Sequence, residues 1–394
     1  MRESFARPAR RVRLDFRANG ELEHADQPVR SDLSGVAAAG RCLWVANDEL
    51  ATVERLSRQD DGSYAGHEIV HLAEVFDLPE GAEGEMDIEG LDIADGYLWV
   101  VGSHSLTREK PKPGEHEPAE ALARLTEVEH HPNRHFLGRI PLVESAPGTF
   151  DLRPEAEGSE RGTTRRSGCL KMKAKGDALD SQLRGDVHIA RFMGVPAKEN
   201  GFDVEGIAAR GDRVFLGLRG PVLRGWALLL ELQVKETRRG RLKLRKVGSD
   251  GARYVKHFLD LAGLGMRELA FDGDALLILA GPTMDLDGPV VLYRWPGALA
   301  ASGQTVVPAG QLERVLNLPY GRGVDHAEGI CWLPSDGAAP GHAAPGDAAK
   351  ELLVVYDSPV DDRLHDGTAI DADVFRLDGR GAARQSGKRP RGRS

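Results

Sequence analysis

The stretch Asp203-Val204-Glu205-Gly206-Ile207-Ala208-Ala209-Arg210-Gly211-Asp212-Arg213-Val214-Phe215-Leu216-Gly217 decides the fold. It runs from a carboxylate phrase through a short apolar segment and a Gly-Asp break into a strand of the buried type. Related phrases stand at Asp32-Leu33-Ser34-Gly35, Asp87-Ile88-Glu89-Gly90, Arg267-Glu268-Leu269-Ala270 and His326-Ala327-Glu328-Gly329. The strands that follow them read Cys42–Ala46, Tyr97–Val101, Ala275–Leu279 and Glu351–Val355. Self-similarity of this kind marks a repeat architecture. Ser34 to Glu89 is 55 residues, Glu205 to Glu268 is 63, Glu268 to Glu328 is 60, and Glu89 to Glu205 is 116. Propeller blades of four antiparallel strands have periods in this range once loops lengthen. No helical period runs through the repeats. An all-β fold, a β-propeller, is expected.

Five blades are favoured, and six is the alternative, because the 116-residue gap is close to two periods. The domain is expected to span residues 1–379, with an insertion at about 149–200 that carries a helix near Asp177–Met193. In the third unit the strands fall at Gly206–Ala209, Arg213–Leu218, Ala227–Val234 and Tyr254–Leu259. The last unit lacks an outer strand, and the N-terminal segment 11–17 is expected to supply it, which removes an exposed sheet edge. Pro/Gly-rich loops at 107–119 and 335–349 read as mobile, and the tail at 380–394 as basic and disordered.

A net charge of −9 over 394 residues argues against a general attraction to nucleic acid or membrane, leaving the basic tail Arg380–Ser394 as the one segment suited to nucleic acid. No run is apolar and long enough to span a bilayer. The N-terminus has no apolar signal segment, so a cytoplasmic location is expected. Three cysteines, two of them (Cys42 and Cys331) inside expected strands, suit reduced thiols rather than a disulfide framework.

Propeller geometry turns a repeat into a constellation. Equivalent positions in successive blades ring the axis, so Asp87, Glu89, Asp203, Glu205, Glu268 and Glu328 are expected at one channel mouth. The second strands end at Asn47-Asp48, Ser103-His104, Arg219, Gly281-Pro282 and Asp357. In an antiparallel pair those ends share the face on which the first strands begin. Carboxylates this close need a counter-charge. A Ca²⁺ ion or another divalent cation would take oxygens from this set, Arg219, Arg224, Arg267, Lys198, His104 and His326 would neutralise it as an ion-pair network, or each Glu would cap backbone amides of the next blade. Lys198, Asn200, Arg224 and Arg267 are the candidates for binding a small anion, since guanidinium forks recognise carboxylate and phosphate. His104 and His326 are the candidate acid and base, with Arg219 beside them. P-loop and Rossmann fingerprints are missing, so no nucleotide cofactor is expected.

The run Lys198-Glu199-Asn200-Gly201-Phe202-Asp203-Val204-Glu205-Gly206, followed by Arg213–Gly225, resembles the bacterial domain of unknown function 3616. So does Asp87–Leu91 followed by Tyr97–Ser105. More distantly, the Glu-Gly openings are similar to those of esterase-like phytase domains and lactonase propellers. That resemblance implies a divalent-metal ligand at Glu89, Glu205 and Glu328. The expected function is metal-assisted hydrolysis of a small anionic ester, phosphate ester or lactone at the mouth. The alternative is a non-catalytic module that binds a metabolite or a protein partner.

Overall fold

The computed structural model describes residues 5–16, 28–111, 114, 116–158, 162–237, 240–247, 251–334 and 350–377. The expected loop at 335–349, the tail at 380–394 and Arg17 lie outside them. The described chain is mostly strand, arranged as successive antiparallel meanders in a propeller-type array. The first meander holds Leu33–Ala39, Cys42–Asn47, Thr52–Arg58 and Tyr64–His71. The second holds Ile88–Ala94, Tyr97–Gly102, Leu137–Ala146 and the short edge Gly168–Cys169. Asp203–Arg210, Arg213–Gly220, Trp226–Glu236 and Tyr254–Asp260 form the next. Gly265–Asp272, Ala275–Gly281, Val290–Trp295 and Glu313–Leu318 follow. His326–Trp332, Lys350–Asp357 and Ala369–Leu377 complete the series.

The outer strand of this last meander comes from the other end of the chain. Arg10–Asp15 pairs antiparallel with Ala369–Leu377 over the register Arg10↔Val374 to Asp15↔Ala369. Leu14 also bridges to Tyr64 of the first meander, so the two ends of the array form one continuous sheet.

Apolar clusters fill the spaces between neighbouring meanders. Trp44, Leu98 and Phe136 pack together in one, and Trp99, Leu216 and Leu230 in the next. Each sheet is covered on both faces, which is why its strands read as unbroken apolar runs rather than alternating ones. All three cysteines are free thiols, with Cys42 and Cys331 buried. Among the described residues no helix is long and apolar enough to cross a membrane.

The innermost strands, which open on the repeated phrase, pack against one another in chain order, and the last packs on the first. In each of them the pairing with the second strand slips near its start. The residues skipped are Ser34, Glu89, Glu205, Arg267 and Glu328. A bulge leaves its extra residue outside the ladder and re-aims the side chain. The glycine that follows lies where neighbouring inner strands nearly touch. A Cβ on Gly90 would come within 2.9 Å of Ile207 Cγ2, and one on Gly206 within 3.0 Å of the Glu268 backbone.

Two expectations are corrected here. The fourth phrase is displaced by one residue: Arg267 takes the bulge position, and Glu268, paired with Leu279, stands where the other strands have glycine. The helix expected over Asp177–Met193 is confined to Ala178–Leu183, with a single 3₁₀ turn at Ala190–Phe192. Asp186 Oδ1 accepts from His188 N (2.8 Å) and Ile189 N (3.2 Å), and this local turn competes with further helix. Val187 is consequently exposed. Residues 149–200 hold two short strands on Leu137–Ala146 (Thr149–Leu152 and Gly168–Cys169), a two-stranded hairpin and this helix, with no further four-stranded meander among the described residues.

Candidate functional site

Where the innermost strands begin, a cavity of about 490 Å³ opens, with a second of about 310 Å³ adjoining it. A space of this size takes a small molecule. At the opposite end, between Asp92, Phe271 and Trp332, only about 70 Å³ remains. The bulge residues Ser34, Glu89, Glu205, Arg267 and Glu328 all line the larger cavity, and so do Asp48, Arg219 and Asp357 from the ends of the second strands. Residues Leu106–Pro111 and Leu125 form part of its wall. Lys110 bonds Asp285 at 2.8 Å, and Arg108 bonds Glu199 across the same opening. Residues Thr107–Pro111, the start of the segment expected to be a mobile loop, therefore wall the site, and a helix at Pro118–Arg124 begins where that segment ends.

The ring is chemically unequal. Arg267 Nη1 donates to Glu328 Oε1 and Oε2 at 2.5 and 2.7 Å and lies 3.3 Å from Glu205 Oε2. Its Nη2 donates to the Pro282 carbonyl at 3.0 Å. Arg219 Nη1 donates to Glu205 Oε1 at 2.8 Å and lies 3.9 Å from Asp203 Oδ2. Arg219 is itself skipped in the pairing of its strand, which turns it toward Glu205. Asp87 pairs with Arg134 Nη1 at 2.9 Å, and Arg134 also bonds Glu85. Ser34 donates to the Ile88 carbonyl. Glu89 has neither a hydrogen bond nor an ion pair among the described residues.

Thirteen carboxylates and six cationic side chains line the larger cavity, so protons or a cation must offset part of its charge. Burial, then the charges of Asp87, Glu205, Asp203 and Asp48, hold the Glu89 carboxyl well above the usual range. Burial and Glu205 lift Asp203 to about 8, against the opposing pull of Arg219. Glu328 is raised to about 7 by burial, which outweighs Arg267. Asp32 reaches about 7 through burial and Asp357. Asp48 is raised well above its ordinary value by burial and then Asp87.

The cation set expected from sequence does not converge. Glu205 and Glu328 are engaged by arginines. Among the described residues, the group whose ligand atoms lie within 4.8 Å of one another is instead His104, Asp177 and Asp180. Glu268 lies away from the mouth. Its Oε1 accepts from Ile207 N (3.1 Å) and Leu269 N (2.9 Å), so it is an amide cap between neighbouring inner strands rather than a metal ligand.

Other expected site residues are also placed elsewhere. His104, in a left-handed conformation (φ 55°), is buried against the insertion rather than the cavity. Burial pushes its imidazolium down, but Asp177 and Asp180 outweigh this and hold it at about 9. Asn200 caps the Val222 amide at 2.9 Å, and Arg224 is exposed; neither lines the cavity. His326 stands at the smaller cavity, 3.9 Å from Asp357 Oδ2 and 3.8 Å from Asp287 Oδ1, and Asp357 raises its pKa. Lys198 lines both cavities. Arg134 and Lys110 escaped the sequence reading because they lie in long connections of the second meander, outside the repeated phrase. Arg267 was legible as a basic residue, but its equivalence to the glutamates needed the bulge register.

No curated protein matches the chain. Among solved structures it is similar to a PQQ-bound aldose sugar dehydrogenase from Streptomyces coelicolor, at 16% identity over 94% of this chain and 100% of that one, with a TM-score of 0.34. It is also similar to a GH43 β-1,3-galactosidase solved with galactodeoxynojirimycin, at 9% identity over 90% and 92%, TM-score 0.38. An exo-1,5-α-L-arabinanase from a bovine ruminal metagenomic library gives 10% identity over 90% and 96%, TM-score 0.37. Likenesses this weak carry no argument about chemistry. The model of the family described as "Protein of unknown function (DUF3616)" matches residues 32–373, nearly the whole array of meanders, and the chain belongs to that family.

Proposed function

We propose that the cavity is the active site of a hydrolase that cleaves a small anionic ester, phosphate ester or lactone. The reading takes residues 1–379 as one five-bladed propeller, with residues 149–200 an elaboration of the second blade. Water adds to the carbonyl carbon or phosphorus as the ester oxygen departs; Glu89 gives that oxygen its proton, and the proton shed by the water restores the Glu89 carboxyl. Arg219 and Arg267, with Lys198 and Lys110 at the rim, receive the negative charge of the substrate. The observation that carries it is the isolation of Glu89: a carboxyl with no cationic partner among the described residues, in a small-molecule cavity, whose pKa is pushed well above the usual range by burial and then by Asp87, Glu205 and Asp203. A carboxyl whose pKa lies near or above the working pH is what general-acid catalysis requires. Among the described residues no three mouth side chains bring ligand atoms within 4.8 Å of one another, so no step is assigned to a metal.

The test is a turnover screen over carboxylic esters, phosphate monoesters and lactones with the full chain, repeated with Glu89→Gln. Glutamine keeps the shape and cannot donate this proton. The expected result is a loss of about 10²–10⁴-fold in kcat with an unchanged or higher melting temperature. Full activity in the variant would refute the role of Glu89. Binding of such anions without turnover of any class would replace the hydrolase with a binding module.

A further inference from the structure

A second cluster of buried charge lies away from the cavity, where the insertion meets the second meander. His104 sits just after the strand Tyr97–Gly102, His135 just before Leu137–Ala146, and Asp177 and Asp180 flank the start of Ala178–Leu183. His104, His135, Asp177 and Asp180 are all at least nine-tenths buried.

Each of these four side chains is fixed by one polar atom and leaves another free; in His135, tied through Nδ1 to Asp180, the free atom is Nε2. His104 Nδ1 bonds the Gly102 carbonyl at 2.9 Å, and its Nε2 has no hydrogen-bond partner. Asp177 Oδ1 accepts from Leu179 N (2.6 Å) and Asp180 N (3.0 Å), and its Oδ2 has none. Asp180 Oδ2 accepts from Asp177 N (2.6 Å) and His135 Nδ1 (2.9 Å), and its Oδ1 has none. One ligand atom from each of His104, Asp177 and Asp180 lies within 4.8 Å of the other two. A histidine whose far nitrogen is tied to a carbonyl, beside carboxylates whose far oxygens are tied to amides, is the outer-shell arrangement that orients metal ligands.

A single proton does not satisfy this cluster. On His104 Nε2 it would face Asp177 Oδ2 at 3.5 Å, a long contact, and would leave Asp180 Oδ1 unpartnered. Buried acceptors left in that state are costly. We infer that His104, Asp177 and Asp180 form a buried site for a divalent first-row transition ion of the Zn²⁺ type, which pins the 149–200 segment to the second meander. One imidazole and two carboxylates suit such an ion better than Ca²⁺, which takes oxygen ligands alone.

The test measures metal content of the full chain after loading with Zn²⁺ and dialysis, and the visible spectrum after loading with Co²⁺. The expected result is one ion per chain, Co²⁺ bands of a low-coordinate site, and a melting temperature lowered by chelator and restored by Zn²⁺. His104→Gln and Asp180→Asn should lose the ion, and Glu89→Gln should keep it. X-ray absorption on the Co²⁺-loaded wild type, which needs no variant to fold, should show imidazole scattering. An apo protein without Co²⁺ bands would overturn the inference. So would an ion that survives His104→Gln, one lost in Glu89→Gln, or a coordination shell without imidazole.

Discussion

The two sides of the cavity ring handle the same problem in opposite ways. On the side of Arg213–Gly220 and Gly265–Asp272, the carboxylates of Glu205 and Glu328 are clamped by Arg219 and Arg267. On the side of Ile88–Ala94 and Cys42–Asn47, Glu89 and Asp48 have no cation bonded to them among the described residues, and burial drives both toward the acid form. Paired charges hold geometry and give up proton chemistry. Unpaired ones keep a transferable proton at the cost of stability. Under the proposed hydrolase, the first side is an anchor and the second supplies the reacting group.

Arg267 is where this comparison is most easily broken. It is a ring guanidinium between two ring glutamates, with a third bond to the Pro282 carbonyl. Arg267→Met keeps much of the volume, strands the buried Glu328 carboxylate and leaves Glu205 to Arg219 alone, so a loss of about 3–5 kcal/mol is expected in denaturant melts. Arg267→Met combined with Glu328→Gln should recover part of that loss, since it removes the stranded charge. Glu89→Gln, on the other side, should cost nothing. If Arg267→Met proved as harmless as Glu89→Gln, the two sides would not differ as described.

Much of this was legible in the repeated phrase, and the reason is geometric. The Glu-Gly pair records two physical demands: a bulge that aims a side chain at the mouth, and a glycine where inner strands meet. Glu89, Glu205 and Glu328 satisfy both, and sequence found them. The fourth phrase misled because Arg267-Glu268 carries a glutamate one place too late. Glu268 fills the glycine position, its carboxyl folded onto backbone amides, and Arg267 reaches the ring. Pattern matching by residue type prefers the glutamate, and only strand register separates them. His104 misled differently. It ends a second strand as expected, but its left-handed backbone and the Asp177 and Asp180 carboxylates belong to an insertion that no repeat describes. The pairing of Arg10–Asp15 with the last meander, by contrast, is the arrangement that an unfilled outer strand called for.

Glu268 therefore offers a sharper and smaller effect. Glu268→Gln keeps an acceptor for the Ile207 and Leu269 amides, whereas Glu268→Ala leaves both without one. The alanine variant should be less stable than the glutamine variant by about 1–3 kcal/mol. Both should retain any turnover that the wild type shows, because the side chain does not line the cavity. A large loss of activity in Glu268→Gln would return this residue to the site and undo the register argument.

The smallest effect is the pH dependence of stability, in which carboxyls of the cavity oppose Asp186, which lies away from it. Asp203 at about 8, Glu328 at about 7 and Asp32 at about 7 all lie above their unfolded values, so the folded chain holds more protons than the unfolded chain between roughly pH 4 and 8. Their contribution is fully present below the unfolded values and is lost as pH rises through the folded ones. Asp186, lowered by Lys256 and Tyr254 against its own burial, works the other way and loses its contribution in acid. The melting temperature should therefore rise by a few degrees from about pH 8 to about pH 5.5 and fall again below about pH 4. Asp203→Asn should flatten the upper limb, because the amide cannot ionise. A melting temperature that climbs steadily from pH 5.5 to 8 would mean that Asp203, Glu328 and Asp32 fold as anions, and the cavity would then hold more neutralising charge than its arginines supply.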